Sequence, residues 1–390
     1  MPKKQISIDT NLIHAGEKPD KETGAIAPVL VRTKTYRQQF GKPSKWQYSR
    51  GQNPTRSILE EKLAALEGGG KATVYGSGLA AETMFFMTLR PGDNVVVPEE
   101  VYGGTQRLLS KVLGNFGITF TTSNFKTEKS ITSAINGKTK CLFVESLTNP
   151  SLNAIDLSLV RDVSQKSGVP YIADMTFTPP NATRAYEYGA EAVIHSVSKY
   201  IAGHNDVIGG AVATRNEKLD TELKFLQRAV GAILSPDECY RAIQGSKTLS
   251  VRWEAMSKNA KKVAEYLSGN KKMKRTLYPG LESHPTHEIA KRQIKNGFGA
   301  VVSFEIAPEY VNSLRQFVKE VQRKGIITYG ESLASPETLI AYPSTMSHGS
   351  LTEQEREKLG ISRTFFRLSV GLESPEDVIV ELERGLKRLE

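Results

Sequence analysis

Short apolar runs alternate with stretches of helical periodicity from Ala72 to Thr214, and few folds accommodate that alternation. Strands are expected at Ala72 to Tyr75, Asn94 to Pro98, Ile118 to Thr122, Thr139 to Glu145, Pro170 to Asp174, Ala190 to Ser196 and Gly209 to Thr214. Helices are expected between them, at Leu79 to Leu89, Thr105 to Leu113, Ser130 to Ile135 and Asp156 to Ser167, with another ahead of the first strand at Arg56 to Leu66. Strands spaced by helices of this length form βαβ units around a mostly parallel sheet, so the fold class is α/β. Ligands of such sheets sit beyond the carboxyl ends of the strands. Ser77, Tyr102, Asn149, Asp174 and the run Ser196 to Lys199 all fall there.

With 390 residues the chain is long enough for one large domain and a smaller one. Beyond Thr214, helices are expected at Glu217 to Ala229, Pro236 to Gln244 and Thr248 to Leu267. Strand, helix, strand, helix follow at Gly299 to Ile306, Tyr310 to Lys324, Phe365 to Val370 and Pro375 to Glu390. The last helix opens Ser374-Pro375-Glu376-Asp377, with serine at the N-cap, proline in the first turn and acids on the dipole. The expected division is an arm at 1–55, a central domain at 56–255 and a C-terminal domain at 256–390. Weak periodicity through residue 45 reads as extended, irregular chain that is ordered against a neighbouring subunit.

Composition narrows the partners. A hydrophobic share of 39% and a charged share of 24% suit an ordinary soluble protein, and no apolar run is long enough to span a membrane. Met1-Pro2-Lys3-Lys4 leads into no apolar segment, so no secretory signal is expected. The two cysteines, Cys141 and Cys239, point to a reducing compartment and a cytoplasmic location. A net charge of +10 raises nucleic acid or an acidic membrane as a partner. The basic residues are dispersed, however, and the densest run, Lys271 to Arg275, reads as a solvated face. A basic nucleic-acid-binding protein would also have no use for Asp174 or Ser198. No nucleic acid, no membrane and no metal is therefore expected, and the positive field suits anionic small molecules.

The chemistry concentrates where Ala192-Val193-Ile194 turns abruptly into His195-Ser196-Val197-Ser198-Lys199-Tyr200. Two hydroxyls beside a lysine suit a phosphate-bearing cofactor held next to a reactive amine. Burial lowers a lysine's pKa so that it forms a Schiff base with an aldehyde near neutral pH. Aldehyde plus phosphate means pyridoxal phosphate (PLP). Gly76-Ser77-Gly78 opens a helix whose free N–H groups make a phosphate cradle. Asp174 at a strand end wants a cation, and a protonated pyridine nitrogen is one. Tyr102 can stack on a ring, and Arg367, alone in an apolar run, wants a carboxylate. Singly, each has a plain alternative: a surface lysine, a tight turn, a capping or ion-paired aspartate, a Tyr-Gly-Gly turn.

Together these residues resemble the gamma-subfamily of PLP enzymes of cysteine and methionine metabolism, which includes cystathionine gamma-synthase, cystathionine gamma-lyase and methionine gamma-lyase. The resemblance runs from Ile13-His14-Ala15-Gly16 through Tyr48-Ser49-Arg50, Gly76 to Ala80, Tyr102 to Thr105, Glu145, Asn149-Pro150, Asp174 and Ser196 to Gly203, ending at Ser369 to Glu373. It implies a PLP-dependent transferase-like fold of the aspartate aminotransferase type (fold type I) and a homotetramer with sites shared between subunits. Lys199 resembles the Schiff-base lysine, Asp174 the partner of the pyridine nitrogen and Tyr102 the stacking tyrosine. Gly76, Ser77, Gly78, Leu79, Thr176, Ser196 and Ser198 resemble the rest of the cofactor site within one subunit. Tyr48 and Arg50 resemble the pair that reaches a neighbour's phosphate. Arg367, Asn149 and Ser332 resemble the substrate carboxylate site, with Glu331 and Arg107 near the distal end of the substrate.

Departures exist. Met175 replaces the usual asparagine, so an amide is lost after the key aspartate. Ala334-Ser335-Pro336 stands where glycines are common, which implies a stiffer loop and altered substrate contacts there, not loss of PLP. Gly104 stands where methionine gamma-lyases carry cysteine, which disfavours that member. The expected activity is elimination or replacement at the γ-carbon of a sulfur amino acid or O-activated homoserine, as a cystathionine gamma-lyase or gamma-synthase. A methionine gamma-lyase or an O-acylhomoserine sulfhydrylase are the alternatives.

Overall fold

The computed structural model describes residues 6–349 and 351–390, so the opening Met1-Pro2-Lys3-Lys4 lies outside the described residues. The larger of its two sheets comprises β1 (Lys71–Tyr75), β2 (Asn94–Pro98), β3 (Thr119–Ser123), β4 (Thr139–Glu145), β5 (Tyr171–Asp174), β6 (Ala192–Ser196) and β7 (Gly210–Thr214), in the order β1-β7-β6-β5-β4-β2-β3. Only β7 runs against its neighbours; β2 to β6 pair in parallel. Because β7 opposes both β1 and β6, those two point the same way. Strand order reverses after β3, which returns the chain to the other side of β2 and opens a crevice at the carboxyl ends of β2 and β4.

Except for the edge strand β3, which is polar and partly exposed, these strands are buried on both faces and read as nearly unbroken apolar runs, such as Val95-Val96-Val97. One face packs on the helix Gly78–Phe86, the other on the helices Pro54–Leu66 and Leu157–Ser167. Local sequence sets the helix starts. Asn53 caps Thr55 and Arg56 ahead of Pro54 at the first position, Asp156 caps Ser158 and Leu159, and Ser77 caps Ala80.

The smaller sheet comprises β8 (Met273–Leu277), β9 (Val301–Ile306), β10 (Ile327–Tyr329), β11 (Thr338–Ala341) and β12 (Phe365–Ser369), ordered β10-β11-β12-β9-β8. An aromatic cluster fills its core; Phe304 stacks on Phe366 with centroids 5.7 Å apart, and Phe317 meets Phe366 edge-on at 5.3 Å. The 20-residue helix Leu249–Ser268 serves both cores. Leu249, Trp253 and Met256 pack with the large sheet, and Ala260, Val263, Ala264 and Leu267 with the small one.

Several expectations are corrected. The arm is not wholly irregular: Ile8–His14 is a helix capped by Ser7, and it is tied down by the buried Lys62, whose Nζ donates to Leu12 O at 2.7 Å. Lys271 to Arg275 is not simply a solvated face, because Met273–Leu277 is an edge strand. Lys274 and Arg275 both reach Glu305 on β9, at 3.0 and 2.7 Å, so cross-strand ion pairing replaces the apolar alternation that normally marks a strand. The helix expected from Thr105 to Leu113 is three pieces, an α-turn Gly103–Arg107, a π-turn Leu108–Val112 and a 3-10 turn Leu113–Phe116. Ser374 occupies the N-cap of Pro375–Leu386, but its hydroxyl turns to Glu376 and does not cap the backbone.

Candidate active site

The pleat of the large sheet decides which side chains share a site, since alternate residues point to opposite faces. Glu145, Asp174 and Ser196, ending β4, β5 and β6, emerge under the helix Gly78–Phe86. Their neighbours Met175 and His195 point the other way, Met175 into the core and His195 onto Glu67 at 2.5 Å. Together with the 331–333 loop and Arg367 of β12, these strand ends enclose a cavity of about 670 Å³.

Lys199 follows β6 on a loop, and its Nζ donates to Ser332 Oγ at 3.1 Å. Burial, and secondly the charge of Arg367, bring the amine down to about 8. Arg367 is 4% exposed. Its Nη1 donates to Asn149 Oδ1 at 3.0 Å and its Nη2 to Ser332 O at 3.1 Å, while Nε has no partner. Neither contact is a carboxylate, so a buried guanidinium stands ready for one. Burial pushes the Asp174 carboxyl up against the opposing pull of Thr176, whose N–H donates to Oδ1 at 2.8 Å. Tyr102 donates its backbone N–H to Glu145 Oε1 at 2.6 Å. Burial, then the charge of Glu331, raises its hydroxyl pKa. Its ring lies against Gly104, where a Cβ would come within 2.4 Å of Cε1.

Ser77 takes up the Ala80 N–H at 3.0 Å, which leaves the N–H groups of Gly78 and Leu79 without an intrahelical acceptor. A Cβ on Gly78 would lie 2.9 Å from Ser196 Cβ, so only glycine lets the helix start approach β6. Ser198 Oγ is already engaged, donating to Gly209 O at 3.1 Å and accepting from Gly209 N–H at 2.9 Å.

Of the residues singled out from the sequence, all line this cavity except Tyr48, Arg50, Gly76 and Arg107. Arg107 is exposed at the end of Gly103–Arg107. Tyr48 and Arg50 line a separate hollow of about 1050 Å³ with Lys45 and Phe225, and Arg50 Nη1 donates to Arg228 O at 2.6 Å. That hollow is the larger, but neither Lys199 nor Asp174 lines it. Glu82 and Glu145 also line the site and had been given no role. For Glu82 the available signal was a lone acid inside the apolar run Leu79 to Phe86.

These groups fit PLP on the structure's own terms. Unbonded N–H groups at a helix start can receive a phosphate. The amine of Lys199 can receive an aldehyde. Two buried carboxyls, Glu82 and Glu145, line the cavity with the half-buried Asp174, and one oxygen of Glu82 has no hydrogen-bond partner. A cationic ring nitrogen supplies the opposite charge such an end lacks.

The family of PLP-dependent enzymes of Cys/Met metabolism matches residues 9–387. A cystathionine beta-lyase of Coxiella burnetii is 41% identical over 98% of both chains, and a cystathionine gamma-lyase of Dictyostelium discoideum 40% identical over 98% of both. A crystal structure of cystathionine gamma-lyase from Lactobacillus plantarum complexed with L-serine superposes with a TM-score of 0.94 at 37% identity, covering 98% of this chain and 99% of that one. A cystathionine gamma synthase from Xanthomonas oryzae pv. oryzae does so with a TM-score of 0.94 at 35% identity, covering 99% of each. Beta-lyase was not among the activities expected from the sequence. The fold is type I, the cofactor is PLP, and the chain belongs to the family of PLP-dependent lyases and synthases of cysteine and methionine metabolism.

Proposed function

We propose that this enzyme works at the γ-carbon of its substrate, with cleavage of cystathionine as its leading activity and synthesis of cystathionine from O-activated homoserine as the nearest relative. One observation carries the amino-acid part of this reading: Ser332 touches both Lys199 Nζ and the Arg367 guanidinium, so the amine and the carboxylate receptor are held to one spacing. The gamma-lyase and gamma-synthase relatives support the γ-carbon. Arg367 binds the α-carboxylate, and Asn149 fixes the plane of the guanidinium. Lys199, with a neutral fraction near neutral pH, takes the α-proton and later returns one. PLP when bound supplies the aldehyde and an electron-withdrawing ring that stores the charge. With PLP bound, Asp174 would keep the ring nitrogen protonated and Tyr102 would stack on the ring. Ser77, Gly78, Leu79 and Ser196 would hold the phosphate end, with Gly76 backing the turn and Ser198 joining by giving up its bond to Gly209 O, while Thr176 would hold Asp174 through its N–H. Glu331, exposed at the mouth, suits the distal amino group of cystathionine. Arg107 reaches the distal carboxylate only by turning inward.

The Coxiella burnetii relative, a cystathionine beta-lyase, favours a second reading, cleavage at the β-carbon. The purified enzyme should be offered cystathionine, O-activated homoserine with cysteine, and methionine. Cysteine, 2-oxobutanoate and ammonia from cystathionine support γ-cleavage; homocysteine, pyruvate and ammonia alone overturn it. Methionine should react poorly, because Gly104 stands where methionine gamma-lyases carry cysteine, and Tyr102 fills the space that such a side chain would need.

We also propose a dimer of dimers in which Tyr48 and Arg50 complete the neighbour's site. The arm supports this, since Ile26 and Phe40 stand 84% and 107% exposed. The division at 1–55, 56–255 and 256–390 is proposed on the same footing. A cytoplasmic location rests on two free, buried cysteines.

A further inference from the structure

Glu82 lies in the cavity and has no part in the reading above. It sits one turn beyond Gly78 on Gly78–Phe86 and shares the helix face that Gly78 presents to the site. It is 3% exposed, and its Oε2 has no hydrogen-bond partner. The acids facing it are Asp174 from β5 and Glu145 from β4, and the three are not equivalent. Asp174 is held by the Thr176 N–H at 2.8 Å and Glu145 by the Tyr102 N–H at 2.6 Å. Glu82 has no backbone donor. Its polar neighbour is the Thr105 hydroxyl, which is itself without a hydrogen-bond partner.

A second negative charge beside Asp174 would be buried without donors to support it. Burial first, and Asp174 second, push the Glu82 carboxyl up to about 8. Burial and then Asp174 raise Glu145 as well. The remaining charged and titratable groups of the cavity are Lys199, Arg367, Tyr102 and Glu331. His195, behind the sheet and paired with Glu67, favours the ionised form of Asp174.

We propose that Glu82 is held as a neutral acid in the loaded enzyme, beside Asp174, so that of the two Asp174 alone presents a negative charge to the ring nitrogen. Glu82 is then a positioning residue: it touches no reacting atom and sets the charge that Asp174 presents. When it ionises, a second negative charge arrives beside the ring nitrogen and tightens its hold on its proton. The inference rests on the reading of Asp174 given above.

Infrared spectra of the PLP-loaded wild type and Glu82→Gln at neutral pH, in H2O and D2O, test it. The difference between them should contain one isotope-sensitive carboxylic-acid C=O band, fading as pH rises through about 8. The pH titration of the cofactor's absorption should lose a step in Glu82→Gln. Glu82→Met, similar in volume and uncharged, serves the same comparison if Glu82→Gln does not fold. A carboxylate band in place of the acid band at neutral pH overturns the proposal. In that case Asp174→Asn remains impaired, so the two readings fail separately; undiminished turnover in Asp174→Asn overturns the role of Asp174 and this proposal with it.

Discussion

At the scale of single residues, the charge of Asp174 should be felt in turnover. Asp174→Asn keeps size and one hydrogen bond but removes the charge that favours a protonated ring nitrogen. It should still fold and load PLP, with turnover lower by at least about a hundredfold and substrate affinity changed less. Steady-state kinetics on fully loaded protein decide it, and near-normal turnover sinks the assignment. Lys199 gives a pH prediction. Its amine is held near 8, below the ordinary 10.5, so the neutral, attacking form grows as pH rises through about 8. Stopped-flow loading of cofactor-free enzyme should accelerate over that range and then level off; a rise confined to the region of ordinary lysines would remove the amine from this environment. The same shift means that the unfolded chain binds more protons between about 8 and 10.5, so cofactor-free protein gains stability with pH across that window. Lys199 and Asp174 were legible because apolar runs end abruptly at them. Glu82 was not, because an isolated acid in a helix ordinarily faces water and only the fold reveals which face is buried. Met175 packs in the core behind the sheet, a placement that the sequence did not reveal.

At the scale of elements, the helix start at Gly78 is seated by β7. A Cβ on Gly210 would fall 2.1 Å from Ser77 O and 2.8 Å from Gly78 Cα, both backbone atoms that cannot yield singly. Gly210→Ala should lift this turn and misplace the free N–H groups while the sheet still forms, at an overpacking cost of about 1–3 kcal/mol. Equilibrium dialysis should find PLP binding weakened by about tenfold or more, since each 1.4 kcal/mol is a factor of ten. Unchanged retention would exclude these N–H groups from the phosphate site. The inner strands of the large sheet were legible because strands covered on both faces are continuous apolar runs, and the polar edge strand β3 was legible from its place between two helical stretches. The small sheet was legible only at β9 and β12. β8 carries paired charges, and β10 and β11 are only 3 and 4 residues long, too short for a period to declare itself. The loop at Ser332 shows what the missing glycines mean. Ala334 sits at φ 67° and Ser332 at φ 148°, conformations that favour glycine, and the Ala334 N–H is anchored on Ser369 Oγ at 2.9 Å.

At the scale of the whole molecule, the placement of Tyr48 and Arg50 outside their own chain's cavity motivates a mixing experiment. Arg50→Ala subunits and Lys199→Ala subunits should each be inactive alone. Exchanged together, they should regain activity, because one hybrid site receives both intact residues. No recovery despite proven subunit exchange would leave each chain with a self-contained site. Nothing in a single chain's sequence says which of its residues are spent on a neighbour, so this part of the site was legible only through family resemblance.

The helix Leu249–Ser268 adds a mechanical consequence. Its 20 residues span about 30 Å as a continuous rod with one end in each core, so it offers no hinge between them. Lys199 follows a strand of the large sheet and Arg367 lies on a strand of the small one, so the rod ties together the two halves that carry them. The two sheets should consequently melt as one cooperative unit in calorimetry. Amides midway along the rod, near Met256 to Val263, should exchange with solvent only when the entire subunit opens.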